Sequence, residues 1–163
     1  MKFLYLLFLV FIYKLVKVVM LKPRFIDIDR HYNTNYKYIH SCTMSFKTTS
    51  AIRMCEALAA SDLTFLHEFK RSAKNKCPHG YIIEPADLIT LLSQPHLLGI
   101  PNHTWKSQTN GNAPKDAKGK SGIIYFLDIP GHTTGDHIDL WHNKSAVGDD
   151  FWDASYTGLW TLL

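Results

Sequence analysis

The stretch SAIRMCEALAA, residues 50–60, carries a clear helical pattern. Its small and apolar residues recur at intervals of three and four, which places one set on a single side of a helix: Ala51, Met54, Cys55, Leu58 and Ala59. Ser50 is a suitable N-cap, because its hydroxyl can accept a hydrogen bond from a backbone N–H of the first turn. The pattern therefore predicts a helix that begins at Ser50 and buries one face.

Strand patterns follow in the second half of the chain. Residues 122–127 (GIIYFL) form a continuous apolar run of strand length, which is typical of a central strand. Residues 136–141 (DHIDLW) alternate, so that His137, Asp139 and Trp141 share one face. Residues 158–163 (GLWTLL) predict a closing strand. A helix packed on a later antiparallel sheet is an α+β arrangement.

The rest of the chain shows weaker patterns. Loops and a short helix are predicted between residues 21 and 49, and a short strand at 81–83. Pro85 suits the first position of a helix over Ala86–Ser93, whereas residues 102–121, rich in Asn, Gly, Lys and Ser, predict an exposed loop.

Composition limits the protein to one domain. A chain of 163 residues, 46% hydrophobic and 13% aromatic, is enough for one compact core. The formal net charge is +4, but residues 1–19 contain Lys2, Lys14 and Lys17 and no acid, so the remainder carries only +1. A near-neutral domain of this kind gives no support to nucleic-acid binding.

Residues 1–19 differ from everything that follows. An apolar run from Phe3 to Tyr13 follows Lys2, as in a secretory signal, but no small-residue cleavage site comes after it. Three interpretations remain open: an uncleaved signal, an anchor at a membrane surface, or sequence upstream of a true start at Met20. We expect this segment to lie outside the folded domain, which spans residues 20–163.

Cysteine and histidine spacing gives no metal motif. Cys42, Cys55 and Cys77 are too few for a disulfide framework and contain no Cys-x-x-Cys pair, and Cys55 is expected in the core. His132, His137 and His142 recur at an odd spacing, which alternates faces on a strand. We therefore predict no zinc site. The four tryptophans are expected in the core, with a saccharide groove as the alternative.

The order of elements suggests a catalytic arrangement. In cysteine hydrolases of the papain type, a nucleophile lies at a helix N-terminus, where the helix dipole lowers a thiol pKa. A histidine from a neighbouring strand takes its proton, and a third polar group orients that histidine. Here Ser50 begins the helix and His137 lies on a later strand.

Five segments together resemble type VI secretion amidase effector family 4. They are, in chain order, Leu21–Phe25 (LKPRF), Phe46–Met54 (FKTTSAIRM), Gly119–Ile124 (GKSGII), His137–Trp141 (HIDLW) and Gly158–Trp160 (GLW). The resemblance runs from about Met20 to the C-terminus. It implies a papain-like, NlpC-type fold whose nucleophile-bearing helix packs on an antiparallel sheet that carries the histidine.

The resemblance also implies a function. Members cleave the bond between D-glutamate and meso-diaminopimelate in peptidoglycan stem peptides, reach the periplasm of a target bacterium by secretion, and are neutralised by an immunity protein. No cofactor is implied. Carried over by position, Ser50 is the nucleophile, His137 the general base and Asp149 the orienting acid, with Asp150 as the second choice.

The main departure from the family pattern is Ser50, which stands where the family has cysteine. A hydroxyl is far less acidic than a thiol, so a site built for thiolate chemistry should lose most of its rate. Two alternatives therefore stay open: a catalytically silent domain that binds peptidoglycan or an immunity protein, and a displaced nucleophile at Cys42. An anchored envelope protein is a third, through residues 1–19.

Overall fold

The computed structural model describes residues 22–32, 42, 46, 48–108 and 110–163, and the fold below refers to these residues. The helices are α1 (Phe25–Asp29), α2 (Ser50–Ser61), α3 (Leu63–Arg71) and α4 (Pro85–Leu92), with a 3-10 turn at Lys115–Ala117. The strands are β1 (His103–Lys106), β2 (Lys120–Leu127), β3 (His137–Asn143), β4 (Ser145–Ala146) and β5 (Tyr156–Thr161). The predicted N-terminal segment, 1–19, lies outside the described residues, and so does the boundary at residue 20.

All five strands form one antiparallel sheet in the order β1-β5-β2-β3-β4. The apolar run predicted as a central strand is β2, which pairs with β3 on one side and β5 on the other. Helix α2 packs against β3. The predicted α+β class, a helix packed on an antiparallel sheet that carries the histidine, is confirmed.

Apolar residues cover both faces of the sheet. One face, with Ile123, Ile138 and Leu140, joins the main core under α2 and α4. The other face, with Ile124, Phe126 and Trp141, packs against Trp152. Every residue from His137 to Trp141 is consequently buried, because both faces of β3 are covered. Trp141, Trp152 and Trp160 are fully buried, as expected for core tryptophans, whereas Trp105 on β1 is only partly buried.

Several elements differ from the sequence-based expectations. The predicted loop at 102–121 contains β1, whose side chains alternate between half-buried and exposed at the sheet edge beside β5. Helix α3 was not predicted; the Asp62 side chain accepts a hydrogen bond from the Thr64 N–H at its start, and Phe65 and Phe69 are buried. The predicted strand at 81–83 is only an isolated bridge between Lys76 and Ile82.

The cysteines behave in two ways. Cys55 is buried in the main core, as expected, and burial raises the pKa of its thiol far above the usual range. Cys42 and Cys77, 35 residues apart, form a disulfide that the sequence analysis did not anticipate. The disulfide ties the chain before α2 to the turn after α3. In the described part of the chain, no helix has the length and apolar character needed to cross a membrane.

Candidate active site

His137 begins β3 and contacts a buried carboxylate two residues later on the same strand. Its Nε2 lies 3.3 Å from Oδ2 of Asp139. Residues i and i+2 of a strand point to the same face, so the local geometry brings the two side chains together. His137 is 6% exposed and Asp139 is fully buried, so water scarcely competes for this contact.

Two backbone donors hold the Asp139 carboxylate in place. Its Oδ1 accepts a hydrogen bond of 2.7 Å from the Leu140 N–H, and its Oδ2 accepts one of 2.9 Å from the Gly148 N–H. A buried carboxylate without such partners would be costly, and here both oxygens are occupied. With Nε2 of His137 directed at this fixed acceptor, Nδ1 is the ring nitrogen that can exchange a proton with another group.

Aromatic rings enclose the imidazole of His137. Phe126 is its cross-strand partner on β2, and the Phe151 ring centroid lies 5.1 Å from that of His137. His132 lies 6.2 Å away, edge to face, and its Nδ1 is 3.2 Å from Oγ1 of Thr134. This packing restricts the imidazole to one orientation.

The two acids predicted as candidates to orient His137, Asp149 and Asp150, lie in the loop that follows β4. Asp149 is exposed and forms no hydrogen bond with His137; the structure brings Asp139 to the imidazole instead. Asp150 accepts a 2.6 Å hydrogen bond from the Ala146 N–H. Its carboxyl is partly shielded from solvent, and this desolvation, together with repulsion from Asp139 and Asp149, raises its pKa.

The position of Asp139 was already readable from the sequence. The alternation in residues 136–141 placed Asp139 on the same face as His137, but the orienting role was assigned by resemblance to a residue further along. The catalytic role of Asp149 stays a prediction. The register explains the contact seen: Asp139 is on the strand itself, whereas Asp149 lies in the turn beyond β4.

Ser50 is the first residue of α2 and is 2% exposed. The N-cap is Thr49 rather than Ser50, and it makes no side-chain capping bond. Oγ of Ser50 lies 3.4 Å from Oγ1 of Thr48. No hydrogen bond joins Ser50 to His137 in the structure, although the elements that carry them, α2 and β3, pack together.

The start of α2 nevertheless has the properties of an anion site. The first backbone N–H groups of a helix lack intrahelical acceptors, and the helix dipole adds partial positive charge there. A hydroxyl at this point and a carboxylate-bound imidazole on the adjacent strand are the groups needed for nucleophilic attack on an amide. The alternative nucleophile, Cys42, does not fit that position, because its sulfur is bonded to Cys77.

Comparison with known proteins identifies the relatives of this fold. The family model of the type VI secretion system amidase effector protein 4 matches residues 46–160. A solved type VI effector–immunity complex, Tae4–Tai4 from Salmonella Typhimurium, is similar with a TM-score of 0.66 and 19% identity over 88% of this chain and 100% of that one. The effector Tae4 from Enterobacter cloacae gives a TM-score of 0.65 and 17% identity over 88% and 98%. No functionally curated protein sequence matches.

Proposed function

Since this chain belongs to the type VI secretion system amidase effector 4 family, we propose that it cleaves the D-glutamyl–diaminopimelate bond of stem peptides. Members of this family are peptidoglycan amidases that are delivered into the periplasm of a target bacterium. In this proposal Ser50 attacks the amide carbonyl, and His137 takes the hydroxyl proton and returns it to the leaving amine. Backbone N–H groups at the start of α2 stabilise the oxyanion.

The observation that carries the proposal is the contact between His137 and buried Asp139. An imidazole whose Nε2 faces a fixed carboxylate keeps its Nδ1 ready for a proton, and the resulting imidazolium is stabilised by the neighbouring negative charge. We therefore assign Asp139 as the residue that positions His137. Asp149, the residue indicated by resemblance, is the competing assignment.

The serine sets the expected rate. Cysteine nucleophiles react as thiolates, whereas a serine hydroxyl needs its proton removed during attack. We therefore expect slow cleavage by the chain with Ser50 and faster cleavage after Ser50→Cys, because the helix dipole stabilises a thiolate at that position.

The decisive experiment is mass spectrometry of purified muropeptides incubated with the full chain and its variants. We expect Ser50→Cys to release products cut after D-glutamate, and the added change His137→Ala to abolish cleavage. His142→Ala is the matched control, because this second histidine of β3 is exposed. Cleavage that survives His137→Ala would overturn the assignment of the base.

Ser50 also favours one other function: a catalytically inactive domain that binds peptidoglycan or an immunity protein and cleaves nothing. The similar Salmonella structure is an effector–immunity complex, so a cognate immunity protein is the expected partner of this chain as well. If no folded variant cleaves muropeptides, but the chain cosediments with intact peptidoglycan, the binding function replaces the enzymatic one.

A further inference from the structure

A cluster of sulfur and nitrogen ligands lies apart from the His137–Asp139 pair. Cys42, Cys77 and His79 place their ligand atoms within 4.8 Å of one another, and Sγ of Cys42 is 2.8 Å from Nδ1 of His79. Two sulfurs and one imidazole form a ligand set typical of zinc. We propose that this cluster binds Zn²⁺ when the Cys42–Cys77 disulfide is reduced.

A tight turn brings two of the ligands together. The Gly80 N–H donates to the carbonyl of Cys77, and the Cys77 N–H donates to the carbonyl of Tyr81. Gly80 adopts a φ of +88°, a conformation that glycine reaches without strain. The turn sets His79 beside Cys77, and the ring of His79 stacks on that of Tyr81 at 6.3 Å.

Both sulfurs are shielded from solvent, whereas the imidazole is not. Cys42 and Cys77 are 1% and 5% exposed, and they pack with Ile52 and Ile83. His79 is exposed, so an ion can enter from its side. Three protein ligands leave the fourth tetrahedral position to water. Zinc prefers this combination of nitrogen and sulfur donors, whereas Mg²⁺ and Ca²⁺ require oxygen.

The metal and the disulfide exclude each other chemically. A dithiol reductant breaks the Cys42–Cys77 bond by exchange, is itself oxidised to a disulfide, and leaves two protein thiols. Zinc then displaces one proton from each thiol, and the neutral imidazole of His79 completes the protein ligands. No electron passes to or from the zinc.

The two forms correspond to two compartments on the route of a secreted effector. Cytoplasmic thiols stay reduced, and the periplasm favours disulfides. The zinc form is thus the one expected before delivery, and the disulfide form the one expected afterwards. This compartment argument rests on the family, but zinc binding itself does not depend on the proposed catalysis.

The test is a zinc titration of the full chain against a chromophoric chelator, after reduction with a phosphine that contains no thiol. We expect one equivalent of Zn²⁺ to bind the reduced chain and none to bind the oxidised chain. Loss of even an outer-shell partner lowers metal affinity by roughly 10–100-fold, so His79→Gln is expected to weaken binding by about a hundredfold. Circular dichroism of each form verifies folding.

His67→Gln is the matched control, because this histidine is exposed on α3 and should leave the affinity unchanged. Cys42→Ser should abolish stoichiometric binding. A reduced, folded chain that binds no zinc overturns the proposal, and so does an affinity that His79→Gln leaves unchanged. Neither result bears on cleavage of muropeptides, which is measured separately.

Discussion

The buried carboxylate of Asp139 contacts the imidazole of His137 and accepts hydrogen bonds from two backbone N–H groups. Asp139→Asn replaces an acceptor by an amide NH₂, so one of these donors loses its partner. We expect the free energy of unfolding to fall by about 1–3 kcal/mol, the cost of a buried unsatisfied group. Urea unfolding measures it.

Asp149→Asn is the control for this measurement. Asp149 is exposed, and a substitution at such a position should change the unfolding free energy by no more than about 0.5 kcal/mol. Equal losses for both variants would contradict the special position of Asp139. In the Ser50→Cys background, the same pair of variants separates the two assignments of the positioning acid by their effect on kcat.

Asp150 makes stability depend on pH. Its pKa is raised in the folded state, so the folded protein binds this proton more tightly than the unfolded chain does. Stability should therefore decrease as pH rises from the usual carboxyl pKa through the raised one. Asp150→Asn keeps an oxygen for the Ala146 N–H and removes the charge, so it should raise Tm at pH 7 by more than it does below pH 4. A larger gain at the acidic end would contradict this.

Two residue pairs show which contacts could be predicted from the sequence and which could not. Period-two alternation was enough to place Asp139 beside His137, since strand geometry is local. It could not pair Cys42 with Cys77, because a contact across 35 residues depends on how α2 and α3 pack. For the same reason, the sequence could not show that His79 lies beside Cys42.

Sequence patterns located the elements with many apolar residues or a regular alternation, and missed β1 and α3, which bury few apolar residues. Helix α2 and strands β2 and β5 carry enough apolar residues to be recognised. β1 lies in a polar stretch, and it is a strand because β5 offers it an edge. α3 buries only Phe65 and Phe69, and two buried apolar positions are too few for a helical pattern to be recognised.

Close approach of two strands makes one glycine indispensable. A Cβ added at Gly122 of β2 would meet the backbone carbonyl of Trp160 on β5, which no side-chain rotation can relieve. Gly122→Ala is therefore expected to lower the unfolding free energy by about 2–3 kcal/mol through overpacking. Thermal unfolding tests this, with Ser121→Ala in the same strand as the control. A Gly122→Ala variant with a higher unfolding free energy would contradict this prediction, because β5 would then move away at little cost.

For the molecule as a whole, the disulfide is the largest single constraint on the unfolded chain. Closing a loop of 35 residues should stabilise the fold by about 3–4 kcal/mol in the chain-entropy model. Reduction in the presence of a chelator should lower Tm accordingly. The Cys42→Ser, Cys77→Ser double variant should have the lower Tm and ignore reductant. A wild-type Tm that reduction leaves unchanged would contradict the constraint.

The global architecture was predictable because several ordered segments, rather than one motif, resembled the amidase effector family. Four of the five segments each correspond to one element: the start of α2, the central strand β2, the histidine strand β3 and the closing strand β5. The proposed catalysis depends on how closely α2 approaches β3, and this approach involves side-chain distances that no pattern of residue types contains. The sequence therefore predicted the fold and the local pair of His137 and Asp139, but not how close α2 comes to β3.

The last residue, Leu163, accepts a 2.7 Å hydrogen bond at its carbonyl from the Phe25 N–H, at the start of α1. This backbone hydrogen bond connects the start of α1 to the segment that follows β5. A circular permutant of residues 22–163 that joins Leu163 to Lys22 needs only a short linker, and the exposed residues 110–112 offer a place for new ends. In such a rearranged chain the histidine strand would precede the serine helix, while the three-dimensional site would be unchanged.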